Sequence, residues 1–274
     1  MTTIAAVAVV VACLAAYEWG GRRLPTVRPR WRRACGWAAA ALTVTAAGPL
    51  GAGADRALWE ESLQYALLVF GVAPLVVLGA PLAIGRAARW VGPAGPRWWV
   101  GVVAYLAVMV CWRLPGPVDA LAALRPLVLV EGVTVVAGSA LVWEEIVGMP
   151  PWGRRPAPLR MIMAAVGAWS AWLAAFAVGF SSRSWYPSYS RPFAGHLGVM
   201  ASQELGVAII FVASAAAFVP VVFSALAEWL GGGANASEPQ RLGPQRPTGQ
   251  YPGDRRPLVR PPWTPRSLDG SHGR

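Results

Sequence analysis

Residues 59–81 read WEESLQYALLVFGVAPLVVLGAP, and this stretch decides the fold class. Two glutamates and a glutamine stand near its start, and the chain then turns almost wholly apolar until Gly-Ala-Pro closes it. An apolar run of about 20 residues is long enough to cross a hydrocarbon core about 30 Å thick. The stretch therefore predicts a helix that spans a membrane and carries its polar residues at one end.

The composition of the whole chain also indicates a membrane protein. Of the 274 residues, 55% are hydrophobic and only 14% are charged, whereas soluble domains carry roughly 25% charged residues. Apolar runs recur along the sequence and predict an all-α, polytopic protein with seven transmembrane helices. The predicted spans are about 3–20, 34–50, 59–84, 98–114, 126–147, 159–180 and 203–230.

The arginines predict how these spans are oriented. All 24 basic residues are arginine, and 19 of them fall on one side of the predicted membrane. The five on the other side are Arg56, Arg113, Arg125, Arg183 and Arg191. Because cytoplasmic loops carry the excess of positive charge, we expect the N-terminus outside, the C-terminus in the cytoplasm, and the plasma membrane as location.

The net charge of +11 is explained by the same distribution. Arginines at a membrane surface meet anionic lipid headgroups, so membrane lipids, and not nucleic acid, are the expected partners. We divide the chain into a seven-helix transmembrane domain, 1–230, and a tail, 231–274. The tail is rich in Gly, Pro and Arg and has no repeating apolar face, which predicts a disordered cytoplasmic segment.

Polar residues of the predicted spans gather at their outer ends. We call this set the polar cluster; it comprises Glu61, Gln64, Tyr65, Arg113, Glu131, Gln203 and Glu204. A charge inside a membrane is costly and usually faces a partner or a cavity. Arg113 lies at the same predicted depth as Glu61 and Glu131, so we expect an ion pair there. Two interpretations stay open: a structural network that locks helices together, or a small polar site that opens outward.

Other chemistry has little support in the sequence. HExxH, CxxC, GxSxG and the glycine-rich phosphate-binding loops are absent, so an enzyme is not expected. Cu(I) prefers thiolate and thioether ligands. Cys111 lies near the outer end of the fourth predicted span, and Met200 and His196 lie just before the seventh, on the same outer side; these three residues form a candidate copper site.

The segment LQYALLVFGVAPLVVLGAP, residues 63–81, resembles the signature span of the CtaG family of bacterial cytochrome c oxidase assembly factors, with matches at Gln64, Pro74 and 78–81. Four further segments resemble that family in the same order. They are CWRLPGPVDAL (111–121), EGVTVVAGSALVWEE (131–145), WYPSY (185–189) and ASQELGVAIIF (201–211). The resemblance covers about 57–230. It implies a membrane protein that helps to assemble the copper-containing oxidase, with copper handled on the outer face.

The family's histidines are absent from this chain. They fall on Glu61, Tyr65, Arg113, Leu127 and Glu131, and a family aspartate falls on Ser202. An arginine now stands where a cation ligand would be, so the resemblance leaves copper open as a cofactor while its ligands are missing. Two functions follow from the resemblance. One is assistance in copper insertion or in assembly of a respiratory cytochrome oxidase, with oxidase subunits as partners. The other is a relative that kept the scaffold without the metal and acts as a partner-binding membrane subunit.

Overall fold

The computed structural model describes residues 2–22, 29–50, 57–81, 98–124, 126–148, 155–189 and 198–236. These residues are helical apart from short connections and contain no strand, which confirms the all-α prediction. The helices are α1 Thr2–Arg22, α2 Arg30–Thr45, α3 Leu58–Gly79, α4 Trp98–Cys111, α5 Pro115–Ala123, α6 Leu127–Val147, α7 Ala157–Gly179 and α8 Val199–Ala236. Three short elements are not α-helical: π-helical turns at Ala46–Leu50 and, within α3, at Leu67–Val72, and a 3-10 turn at Pro187–Tyr189.

Five of the described helices are long and apolar enough to cross a membrane: α1, α3, α6, α7 and α8. A sixth span results if α4 and α5, which meet at an angle of 72°, are taken together. The predicted count of seven spans is not confirmed. The second predicted span coincides with α2, which begins RWRR and continues with alanines, and its mean hydropathy is correspondingly low.

The break between α4 and α5 determines where Arg113 lies. Pro115 opens α5, and Leu114 before it is extended, at φ −72° and ψ 145°. A proline disfavours helical geometry in the residue that precedes it, so α4 cannot run on through Leu114. The predicted span 98–114 therefore ends early, at Cys111. Arg113 is left on the connection, where its side chain can turn into the bundle.

The centre of the bundle is built from aromatic rings around Phe218 of α8. This ring is fully buried and stacks on Trp143 of α6, with centroids 4.9 Å apart and planes 2° from parallel. Phe70 of α3 and Tyr105 of α4 meet it edge-on, at 5.9 and 6.0 Å. Such edge and stacked contacts add to the stabilisation from burial. One ring thereby joins four helices in the core.

The last helix runs further than the sequence predicts. It continues past Leu230, the expected end of the transmembrane domain, to Ala236. Met1–Ala234 form one compact unit, and the second unit, Asn235–Arg274, is described only to Ala236. The predicted disordered tail, 231–274, otherwise lies outside the described residues.

Gly101 on α4 allows a close approach to α6. A Cβ added at this position would lie 2.8 Å from the backbone oxygen of Leu141. We expect Gly101→Ala to push the two helices apart and to lower the free energy of unfolding by roughly 1–3 kcal/mol. Thermal unfolding of the detergent-solubilised protein would measure it. Gly116→Ala is the control, because a Cβ there meets nothing within 4 Å. Equal melting temperatures for the two variants would contradict this account of the helix contact.

Candidate functional site

Arg113 and Glu61 form an ion pair inside the bundle. The Arg113 Nη1 donates to Glu61 Oε2 at 2.7 Å, and each side chain is only 8% exposed. Glu61 lies in the first turn of α3, where the helix dipole favours a negative charge. Two charges removed from water cost several kcal/mol each, and a close pair with good geometry offsets that cost. The pair therefore fixes the α4–α5 connection to the start of α3.

Tyr65 supports the same guanidinium from one helical turn further along α3. The Arg113 Cζ lies 4.1 Å from the centroid of the Tyr65 ring, which is a cation–π contact. The Tyr65 hydroxyl donates to the Val108 carbonyl at 3.2 Å and lies 3.3 Å from Met109 Sδ. Glu61 and Tyr65 are four residues apart and so lie on one face of the helix. That face therefore binds Arg113 through an ion pair with Glu61 and a cation–π contact with Tyr65.

Glu131 lies beside this pair without completing it. Its side chain is buried on α6 and interacts electrostatically with both Glu61 and Arg113. Its Oε1 has no hydrogen-bond partner among the described residues, and the same holds for Nε and Nη2 of Arg113. The predicted pairing of Arg113 is thus with Glu61, while Glu131 is a buried carboxyl next to it.

The remaining members of the polar cluster have separate places. Gln203 is buried on α8, where its Nε2 donates to the Val178 carbonyl at 2.9 Å and its Oε1 accepts from the Trp185 amide at 3.2 Å. It therefore fastens the segment after α7 to α8. Gln64 is buried on α3, whereas Glu204 is exposed. The structure does not bring Glu204 into the site.

The segment that contains WYPSY covers the Arg113 connection. The Tyr186 hydroxyl donates to the backbone carbonyl of Arg113 at 3.1 Å, and the Ser188 amide donates to Asp119 Oδ1 of α5 at 3.0 Å. Burial raises the pKa of Tyr186, which keeps its hydroxyl protonated as a donor. Sequence reasoning noted this segment only as part of a resemblance and missed its contact with Arg113, because two segments 73 residues apart carry no mutual signal.

The candidate copper ligands stay a prediction, because one of the three lies outside the part of the chain that the structure describes. Cys111 is exposed at the end of α4, Met200 is 37% exposed on α8, and His196 lies outside the described residues. No group of three His, Cys, Asp or Glu side chains that could hold a metal occurs where the structure is described. At the polar cluster, Glu61 is already bound to a fixed positive charge that repels any metal cation. Its residues therefore do not fit copper.

A second set of charges, absent from the sequence predictions, lies where α6 ends and α7 begins; Glu145 and Arg160 are buried, whereas Arg155 and Glu228 are partly exposed. Arg160 of α7 donates through Nε to the Ile146 carbonyl at 2.8 Å and through Nη1 to Glu228 of α8 at 2.9 Å. Arg155 donates through Nε and Nη2 to buried Glu145, and this hydrogen bonding raises the pKa of Arg155. The acids were visible in the sequence, but only the fold shows which arginines they meet.

These observations define a helical membrane protein with a buried ion pair at one end of its bundle. The family model described as cytochrome c oxidase caa3 assembly factor (Caa3_CtaG) matches residues 15–231. The chain belongs to this family, which confirms the resemblance and extends it from residue 57 back into α1. No curated protein and no solved structure matches the chain.

The ion pair predicts a large effect of removing Arg113. We expect Arg113→Ala to lower the free energy of unfolding by roughly 3–5 kcal/mol, because Glu61 is left buried without its partner. Arg33→Ala is the matched control: Arg33 pairs with Glu18 at 3.1 Å, but its side chain is 55% exposed. Such a surface pair contributes about 0–1 kcal/mol.

The double variant Arg113→Met/Glu61→Leu separates charge from packing. Since both charges are removed together, it should be more stable than Arg113→Ala in the same thermal unfolding assay. A double variant as unstable as Arg113→Ala, or an Arg113→Ala protein as stable as Arg33→Ala, would contradict the role given to the pair.

Proposed function

We propose that this chain assists the assembly of a respiratory cytochrome oxidase as a non-enzymatic, partner-binding membrane protein that does not carry copper. Membership of the assembly-factor family supports a role in making cytochrome c oxidase. The observation that supports a role without copper is the buried Arg113–Glu61 ion pair at 2.7 Å. It occupies positions on which histidines of the family fall in the resemblance.

Chemistry at this pair argues against metal delivery from the same place. Arginine remains protonated in proteins and offers no acceptor, so it cannot be a metal ligand. A cation that bound Glu61 would leave Arg113 buried without its counter-charge, at a cost of several kcal/mol. A copper site would need the soft ligands Cys111 and Met200, together with His196. Copper insertion through those three residues is the runner-up function.

We propose that the chain lies in the plasma membrane with seven transmembrane helices. Its N-terminus is outside the cell and its C-terminus is in the cytoplasm. The Tyr17 hydroxyl lies within hydrogen-bond distance of two carbonyl oxygens, those of Arg32 at 3.2 Å and Gly79 at 3.0 Å, so the end of α1, the start of α2 and the end of α3 lie together. The arginine-rich stretches begin at this end, whereas Arg113 lies where α3 starts. By the positive-inside rule, we therefore place the end of α1, the start of α2 and the end of α3 on the cytoplasmic side.

The outward faces of the helices support lipid and membrane-embedded subunits as partners. Large apolar side chains point away from the bundle along α1 and α7, among them Ile4 at 77% and Leu173 at 62% exposure. Apolar surface of this kind is stable only against lipid or another apolar face. We propose a transmembrane domain of 1–230 that meets oxidase subunits within the bilayer, followed by the cytoplasmic tail 231–274.

A deletion strain tests the proposal. In host cells that lack this chain, we expect less assembled oxidase in the membrane, measured by its haem absorbance and oxygen uptake. Added copper should not restore it, because the chain does not supply the metal. The wild-type chain and the Cys111→Ser/Met200→Leu variant should restore it equally.

Two results would overturn this function. Rescue by copper, or failure of the Cys111→Ser/Met200→Leu variant although it accumulates in the membrane, would indicate copper insertion instead. An unchanged level of assembled oxidase in the deletion strain would remove the assembly role altogether.

A further inference from the structure

The exposed tryptophans gather at one end of the bundle, where α1 stops and α2 starts. Of the seven exposed tryptophans among the described residues, six lie there: Trp19, Trp31, Trp37, Trp98, Trp99 and Trp229. Trp98 and Trp99 open α4, whose other end lies beside Arg113, and Trp229 follows Glu228, the partner of Arg160. Tryptophan rings are typical of the headgroup level of a membrane. These six rings therefore mark one membrane surface, which we call the tryptophan end.

The Arg113 end of the bundle is different in the part of the chain that the structure describes. Its tryptophans, Trp59, Trp112 and Trp185, are only partly exposed, and Arg113 itself is buried in an ion pair. Arg183 is exposed at this end, on the segment after α7. The exposed aromatic surface that suits lipid headgroups is therefore concentrated at the tryptophan end.

Three exposed arginines lie together at the tryptophan end, on the hairpin that α1 and α2 form. Arg33 Nε donates to Glu18 Oε1 at 3.1 Å, so the two helices are in contact one turn before α1 stops. Arg22 lies one helical turn after Glu18, and Arg30 lies one turn before Arg33. Because the two helices are antiparallel, Arg22 and Arg30 lie on the same side of this contact, next to each other at the tip of the hairpin.

The tip of this hairpin carries an excess of positive charge. Glu18 is the only acid among residues 1–54, which contain six arginines. It already accepts hydrogen bonds from Arg33 Nε and from Trp37 Nε1, the latter at 2.9 Å. No described acid forms a salt bridge with Arg22 or Arg30. The partner whose charge is complementary to this tip is therefore an anion.

We propose that the tip of the α1–α2 hairpin is a binding site for an anionic phospholipid, whose phosphate lies between Arg22 and Arg30. The planar guanidinium of arginine matches the geometry of phosphate oxygens. Exposed Trp31 follows Arg30 directly, and the Arg32 Cζ lies 5.1 Å from the centroid of its ring. The acyl chains of the lipid then lie beside the exposed tryptophans of α1 and α2.

The surroundings of the two arginines select a lipid over a free phosphate. Exposed charges in water are screened by salt, and a free phosphate is fully hydrated. A lipid is held at the level of the tryptophan rings by its acyl chains, so its phosphate is presented to the arginines at high local concentration. Net charge selects among lipids, because the ammonium of phosphatidylcholine cancels its phosphate, whereas phosphatidylglycerol keeps a negative charge that arginines attract.

Lipid titration of the full-length, detergent-solubilised protein tests the site. Phosphatidylglycerol and phosphatidylcholine would be added separately, and the bound lipids would be counted by native mass spectrometry. We expect the first phosphatidylglycerol to bind on the order of tenfold more tightly than phosphatidylcholine, because two arginines attract its net negative charge. Equal affinities for the two lipids would overturn the proposal. Displacement of phosphatidylglycerol by an equal concentration of inorganic phosphate would overturn it as well, since the site would then bind a free anion.

Single arginine variants locate the site on the hairpin. Arg22→Gln and Arg30→Gln should each weaken phosphatidylglycerol binding about fivefold and leave phosphatidylcholine binding unchanged. Both side chains are exposed, so the melting temperatures of the lipid-free variants should equal that of the wild type. Arg183→Gln is the matched control, because it removes the same charge from an exposed position at the Arg113 end. An equal loss of phosphatidylglycerol binding in Arg183→Gln, or no loss in the two hairpin variants, would contradict the site. The inference does not depend on the oxidase role.

Discussion

A guanidinium keeps its charge wherever the chain places it, and this constraint shapes one end of the bundle. Pro115 stops α4 and leaves Arg113 on a connection that turns inward. The carboxylate that neutralises this charge comes from a neighbouring helix: Glu61, in the first turn of α3, lies 2.7 Å from the guanidinium. Tyr65 and the Tyr186 segment then close over the pair. The polar start of α3 is therefore a consequence of one buried cation.

The bundle is fastened at three levels along its length. Charges hold the Arg113 end, and Arg160 joins α6, α7 and α8 where α7 begins. Between them, the Phe218 ring meets Trp143, Phe70 and Tyr105 from three other helices. Apolar side chains elsewhere turn outward, since a membrane gives helices no hydrophobic drive to associate. Specific ion pairs and closely packed side chains hold the helices together instead.

Sequence reasoning could find the helices and the residues that are costly to bury. Periodic apolar runs predict α3, α6, α7 and α8, and the matching depths of Arg113 and Glu61 predict that they meet. It could not find the 72° bend after Cys111, because a break of three residues leaves an apolar run looking continuous. Nor could it choose between Glu61 and Glu131 as partner, since that choice depends on rotamers and helix rotation.

The position of this ion pair matters because of the family to which the chain belongs. In this member of the assembly-factor family, an arginine and a glutamate form a buried ion pair at positions on which, by the resemblance, histidines of the family fall. A guanidinium–carboxylate pair and a metal both link helices, and only the metal can be passed to another protein. The substitution would keep the fold and remove the cargo.

Copper content after Cu(I) loading tests this claim most directly. The purified protein would be loaded, desalted and assayed for copper beside the Cys111→Ser/Met200→Leu variant. We expect no bound copper in either protein, because Arg113 excludes the metal from Glu61. About one copper per chain in the wild type, lost in the variant, would contradict it and restore a metal-carrying role with new ligands.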